Sequence, residues 1–265
     1  MVFVNNHLNN INLNSNNFFV VMDFDDTITT FDSINSWSIL ENPDFVPLEL
    51  KKESRKLFEK YYPIELDYTL DDAAKSTFLQ EWYSKNIELF YKFNLTEDIL
   101  LNCTRVANVK FRDGFLDFLD KLHANNIPVV IFSAGIKNVI TEILRANNCL
   151  FDNVYLVSNF IEFKDNKMLP FKDKIIHSSN KDISLLPNDL LNTINSKDYI
   201  LLFGNLVEDL NMVGKSNLHK TISFGFLEQN VEKNIDIYRN SYDVVLTDNS
   251  SFYDVEDVLV NLNRN

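Results

Sequence analysis

The chain has 265 residues, 45% of them hydrophobic, 13% aromatic and only two cysteines, and a formal net charge of −13. Its length suggests one large domain, or a core carrying a substantial insertion. The acidic balance argues against a nucleic-acid polymer or an anionic membrane as partner, and leaves room for a small anion held in one cationic pocket.

Residues 1–17 are rich in asparagine and nearly uncharged. They have neither the apolar run of a secretory signal nor the arginines of a transit peptide, and read as a disordered extension. No stretch approaches a membrane span, and Cys103 and Cys149 are too few for a disulfide framework. The expected compartment is the reducing cytoplasm. No heptad repeat suggests an oligomer, so a monomer is expected.

An apolar run follows, residues 18–22 (F-F-V-V-M), and it carries Asp23 and Asp25 at its carboxyl end. On an extended chain, residues two apart leave the same face. Two carboxylates there repel unless a cation or a shared proton lies between them. The pair can bind Mg²⁺ and supply one nucleophile and one acid/base group. A strand ending in an acidic turn is the plain alternative for a bare D-x-D. The longer D-x-D-x-T, ending at Thr27, is narrower, and Asp26 adds a carboxylate expected to face away.

Residues 32–108 contain no glycine and are rich in Leu, Lys, Glu and Tyr. They read as successive amphipathic helices, inserted as a cap over the first strand's carboxyl end. Beyond them, short apolar runs at 127–132, 154–157, 199–203, 221–226 and 244–246 read as buried strands. Helical patterns at 115–124, 137–147, 209–213 and 252–261 alternate with them. The expected fold class is therefore α/β, a doubly wound parallel sheet in which residues 18–31 and 109–265 form the core. Reactive residues of such a sheet lie at strand carboxyl ends. Asp23, Ser133 and the pair Gly204-Asn205 all do.

A carboxylate pair, a hydroxyl (Ser133), a lysine (Lys181) and a second acidic turn (204–209, G-N-L-V-E-D), in that order, resemble the haloacid-dehalogenase-like phosphohydrolases. Further segments narrow the resemblance to the cytosolic 5′-nucleotidase III (pyrimidine 5′-nucleotidase) family. They are K-Y-Y-P-I-E-L-D at 60–67, E-W-Y-S-K at 81–85, I-P-V-V-I-F-S-A-G-I at 127–136 and V-S-N-F at 157–160, then F-K-D-K-I-I-H at 171–177, N-K at 180–181 and S-Y-D-V-V-L at 241–246. The match runs from about Phe18 onward.

The resemblance implies a HAD-like core with an all-helical cap, Mg²⁺ as cofactor and a nucleoside 5′-monophosphate as substrate. It implies Asp23 as nucleophile and Asp25 as acid and base, with Thr27, Ser133 and Lys181 around the phosphate. It places Glu65, in the cap and away from the strand ends, against the nucleobase, and Trp82 and Tyr83 as rings for stacking. Asn86 stands where the family commonly has serine. The metal set implied is Asp23, Asp25, Asn205 and Asp209.

One departure concerns the metal. The family usually carries G-D-S-x-G-D after the fourth strand; here the first aspartate is Asn205, so the ion's shell loses a negative charge. Asp209 is expected to shift inward, with Glu208 as a further helper. Three readings stay open: a working Mg²⁺-dependent nucleotidase, a nucleotide-binding relative with little turnover, or a phosphatase of another small phosphate ester.

Overall fold

The computed structural model describes residues 1–5, 8, 11–214 and 220–263. In chain order its elements are β1 (Val2–Val4), β2 (Phe18–Met22), α1 (Leu48–Glu65), α2 (Asp72–Lys92), α3 (Glu97–Val106), α4 (Phe115–Ala124), β3 (Val129–Ile136), α5 (Lys137–Ala146) and β4 (Val154–Asn159). They continue with a small hairpin, β5 (Phe163–Lys164) and β6 (Lys167–Met168), and then α6 (Asn188–Ile194), β7 (Tyr199–Gly204), β8 (Lys220–Phe226), α7 (Val231–Ser241), β9 (Val244–Leu246) and α8 (Phe252–Leu262). Short 3₁₀ turns join several of them.

Seven strands form one sheet in the order β1-β9-β8-β7-β2-β3-β4, parallel except for β1, which runs antiparallel to β9. Side chains along each strand alternate between two buried layers. Phe19, Val21, Val130, Phe132, Ile200 and Leu202 pack on one face, beneath Leu190 and Ile194 of α6 and Tyr238 of α7. Val20, Met22, Val129, Ile131, Leu201 and Phe203 pack on the other, against α4, α5 and α8. With both faces covered, the strands are apolar along their whole length, which is why they stand out in the sequence.

The chain leaves β2 toward β3 and β4 on one side, and returns to β7, β8 and β9 on the other. β2 is therefore the strand at which the winding reverses, the position where open α/β sheets bind ligands. Pairing of Met22 with Phe203 and with Ile131 brings the carboxyl ends of β7, β2 and β3 to one level. Asp23 emerges there, and its amide donates to the Phe203 carbonyl at 3.0 Å.

The helical segment between β2 and β3 is present as expected. α2 is capped by Asp71, whose side chain accepts from the amides of Ala73 and Ala74, and α3 by Thr96, which accepts from Ile99. α1 and α2 pack on each other, whereas α3 lies against α5 of the core.

The asparagine-rich start departs from expectation. Over its described residues it is not a disordered extension: Val2, Phe3 and Val4 pair with Leu246, Val245 and Val244, and Leu8 and Ile11 are buried. A few apolar side chains among the asparagines find a strand edge some 240 positions away, a partner that local composition cannot reveal.

Behind the β2 turn lies the buried Arg112. Its guanidinium donates to the carbonyls of Thr27, Asp26 and Ser250 at 2.9–3.0 Å, pairs with Glu228 at 2.6 Å and stacks over the Phe226 ring. It fixes the backbone of the D-x-D-x-T loop, including Asp26 in the left-handed region at φ 62°. Arg112→Met leaves Glu228 and three carbonyls without their partner. A loss of about 3–5 kcal/mol is expected, the cost of breaking a buried ion pair from one side. Urea unfolding checks it; a loss under about 1 kcal/mol would show that the loop does not depend on this residue.

Candidate active site

Lys181 is the centre of the site. It lies 2% exposed just past a 3₁₀ turn (Ser178–Asn180), and its ammonium donates to Asp23 Oδ1 at 2.5 Å and to Asp209 Oδ1 at 2.8 Å. Burial works against its charge, but the two carboxylates more than offset this and hold its pKa above the ordinary lysine value. Asp23 is pushed up to about 7, first by burial and then by Asp209 and Asp25, with Lys181 pulling the other way. The crowding of carboxylates adds to both shifts, supplementing burial at Asp23 and overriding it at Lys181.

Asp25 is clamped by Ser36, whose amide donates to Oδ1 at 3.0 Å and whose hydroxyl donates to Oδ2 at 2.6 Å. Burial raises the Asp25 pKa and these two bonds oppose the rise. Ser36 can approach because residue 135 is glycine: a Cβ there would stand 2.1 Å from the Ser36 hydroxyl. Ser133 lies within β3, where the pairing with β4 becomes irregular between Phe132 and Ile136. Such irregularities re-aim side chains next to active sites. The Ser133 hydroxyl accepts from the Gly135 amide at 2.9 Å.

Asp23, Asp25, Ser133, Gly135 and Lys181 line one wall of a cavity of about 330 Å³ that also contains Glu65, Trp82, Tyr83 and Asn86. Trp82 stacks parallel to Tyr61 at 6.1 Å, and Tyr83 meets Trp37 edge-on at 5.2 Å. Glu65 is not remote from the strand ends. The Ser178 hydroxyl, three residues before Lys181, donates to its carboxylate at 2.7 Å. Burial raises the Glu65 pKa to about 7, against the pull of that bond. The Glu65 carbonyl in turn accepts from Lys75 of α2 at 3.0 Å.

Several residues sit differently from expectation. Asp209, expected at the metal, is fully buried and off the cavity wall. Its Oδ1 holds Lys181, and its Oδ2 accepts from the amides of Asn205 and Leu206 at 3.0 Å each, so its oxygens are committed to bracing the turn. Glu208 points away from the site and forms a buried ion pair with Lys75. Thr27, expected on the phosphate, is fully buried, and its hydroxyl donates to Asn205 Oδ1 at 3.4 Å. It orients the amide instead of facing the cavity. Asp26 does the reverse: it lines the cavity, its pKa raised to about 8 by burial and by Asp25, Asp23 and Glu228.

Mg²⁺ suits this chemistry. Asp23 and Asn205 offer hard oxygen donors at adjacent strand ends, and Asp23, Asp25 and Asp26 crowd negative charge that Lys181 alone does not neutralise. Among the described residues no three Asp, Glu, His or Cys side chains are grouped as a metal site, as follows from Asn205 standing where a third carboxylate would complete one.

Ser36, Ser178, Arg112 and the cavity residues Tyr68, Gln229 and Tyr238 are not visible as site residues in the sequence. Only the fold brings them together, and no local motif marks them. Tyr238 donates to the Asn205 carbonyl and shares a hydrogen bond with Tyr68 at 3.0 Å.

Comparison with known proteins agrees with this geometry. The profile of the pyrimidine 5′-nucleotidase (UMPH-1) family matches residues 10–263. The 7-methylguanosine phosphate-specific 5′-nucleotidase A of Xenopus laevis is 34% identical over 235 residues, covering 86% of this chain and 81% of its own. The 7-methylguanosine phosphate-specific 5′-nucleotidase of Homo sapiens is 32% identical, with coverage of 86% and 78%. The crystal structure of cytosolic 5′-nucleotidase IIIB bound to cytidine superposes with a TM-score of 0.83 at 30% identity, over 94% of this chain and 87% of that one. A substrate-bound phosphoserine phosphatase, at TM-score 0.58 and 12% identity, shares the fold alone. The chain thus belongs to the pyrimidine 5′-nucleotidase family, phosphoric monoester hydrolases built on the haloacid-dehalogenase-like fold.

Proposed function

We propose that this protein is a cytosolic, Mg²⁺-dependent 5′-nucleotidase that converts a nucleoside 5′-monophosphate, of pyrimidine or 7-methylguanosine type, to nucleoside and phosphate through an aspartyl-phosphate. The observation that carries this reading is Asp23, paired with Lys181 on one wall of a cavity whose other walls are Trp82, Tyr83, Asn86 and Glu65. A nucleophile and its cation thus share one enclosure with rings and a carboxylate suited to a base. The names of the relatives support both substrate types. No helix among the described residues is long and apolar enough to cross a membrane.

In this reading Asp23 attacks phosphorus as the bond to the nucleoside O5′ breaks. The Asp25 carboxyl gives its proton to the departing oxygen, and Ser36 keeps it aimed there. Asp25 then takes a proton from water, whose oxygen attacks phosphorus and breaks the acyl-phosphate bond. Asp23 and inorganic phosphate result. Lys181 and Ser133 stabilise charge on the phosphoryl oxygens. Asp23, the Asp25 carbonyl and Asn205 would hold Mg²⁺, which supplies charge neutralisation between carboxylate and phosphate.

Three outcomes test the reading. Asp23→Asn keeps volume but removes the nucleophile, so phosphate release from a panel of nucleoside monophosphates should fall at least about 10³-fold. A purified, folded variant that keeps a tenth of wild-type turnover would exclude the assignment. Asn205→Asp restores a charge beside the ion, and should lower the Mg²⁺ concentration for half-maximal rate roughly 10–100-fold. An unchanged Mg²⁺ titration would take Asn205 out of the metal shell. A wild type silent at every Mg²⁺ concentration, with activity appearing in Asn205→Asp, would favour a nucleotide-binding role. Glu65→Ala should raise KM for nucleotides or reorder them while hydrolysis of a small aryl phosphate stays within about threefold, because its contacts are to the base. An equal fall on every substrate would point instead to support of the Ser178–Lys181 segment.

A further inference from the structure

At the cap end of the cavity three polar side chains from three elements meet: Glu41 from the 3₁₀ turn Ser38–Glu41, Ser54 from α1 and Asn86 from α2. The Ser54 hydroxyl is hydrogen-bonded to Glu41 Oε1 and lies 3.3 Å from Asn86 Oδ1. Asn86 forms no other hydrogen bond among the described residues, and it faces the cavity that contains Asp23.

The proton count at Ser54 decides what Asn86 presents. A serine hydroxyl carries one proton and two lone pairs, and an ionised carboxylate only accepts. Burial raises the Glu41 pKa, and the Ser54 bond, Lys51 and Arg55 oppose the rise; as a carboxylate, Glu41 takes that proton. Ser54 then has only lone pairs left for Asn86. A half-turn of the amide satisfies it: the Asn86 NH₂ donates to Ser54, and Oδ1 is left facing the cavity as an acceptor.

We infer that Glu41 is a specificity-determining positioning residue, acting through Ser54 to hold the Asn86 amide oxygen toward the base and so to select nucleotides whose base carries an exocyclic amine. Cytosine meets an acceptor with its amino group. Uracil brings a carbonyl to the same place, and two acceptors face each other with no proton between them. A hydroxyl at this position would turn to suit either base. An amide held by Glu41 and Ser54 cannot. This inference rests on the nucleotidase reading above and narrows its substrate.

The test compares CMP with UMP as kcat/KM ratios, and cytidine with uridine as dissociation constants by calorimetry, in purified protein with Mg²⁺. Wild type should favour the amine-bearing member of each pair by about tenfold or more, the discrimination of one ordinary hydrogen bond. Glu41→Met keeps the chain length but removes the competitor for the Ser54 proton. Ser54 then donates to Asn86 Oδ1, the NH₂ turns into the cavity, and both ratios should shift toward uracil by about tenfold. In a Ser54→Ala background the relay is cut, and adding Glu41→Met should change neither ratio. That silence separates positioning from mere support, and thermal unfolding of each variant excludes loss of fold. Ratios within threefold of wild type in folded Glu41→Met would overturn the relay. So would an equal effect of Glu41→Met with and without Ser54, which would mean that Glu41 meets the base itself. A wild type that neither hydrolyses any nucleoside monophosphate nor binds either nucleoside would overturn the nucleotidase reading, and this inference with it; a wild type active on both nucleotides without preference would overturn the inference alone.

Discussion

A single buried ammonium organises the catalytic end of this molecule. Lys181 lies between Asp23 and Asp209 in a space that excludes water, where a charge persists only when it is paired. Asp209 spends its second oxygen on the amides of Asn205 and Leu206, so the lysine is tied to the turn that carries Asn205. Thr27 reaches the same amide from the β2 loop. Asp23, Lys181 and Asn205 are therefore parts of one hydrogen-bonded unit, and displacing any of them leaves a buried charge or a bare amide behind. Such a unit is set before substrate arrives, which is the condition for electrostatic stabilisation without reorganisation.

A second dry ion pair ties the cap to this unit. Lys75 of α2 pairs with Glu208, and the same ammonium holds the Glu65 carbonyl. Glu65 in turn receives the Ser178 hydroxyl, and Ser76 meets His177. α2 thus rests on the segment leading to Lys181 directly through Ser76 and His177, and by way of Lys75, Glu65 and Ser178. In the proposed function, a base held by the cap and a phosphate held by the core keep a fixed separation, set by buried side chains.

Much of this was legible in advance, for definite reasons. Strands buried on both faces are largely apolar, so β2, β3, β7, β8 and β9 declare themselves in a short window, and the partly exposed edge strand β4 does so through its own apolar run. Asp23, Asp25, Ser133, Lys181 and Asn205 follow strand ends or ordered motifs, and the fold brings them to one cavity. Direction was not legible. Thr27 and Asp26 are adjacent, and backbone geometry turns the first inward and the second to the cavity wall. Asp209 looks like a metal ligand until its oxygens are counted. α7 is rich in polar residues and interrupted by asparagine, and β1 has three residues whose partner lies at the other end of the chain. Ser36, Ser178 and Arg112 act over long separations, where a linear pattern carries no signal.

The pairing of Val2 with Leu246 has a consequence for how the molecule comes into being. β1 pairs with a strand made some 240 residues after it, and the first acidic loop meets a turn 178 positions further on. Until Lys181 is made the carboxylate pair lacks its ammonium, and until β9 is made β1 lacks its partner strand. Contacts of such separation close late and slowly, and the exposed edge is the stretch a chaperone has reason to cover. Lys181 is made well before β9, so the lysine is available to the carboxylate pair before the β1 edge can close.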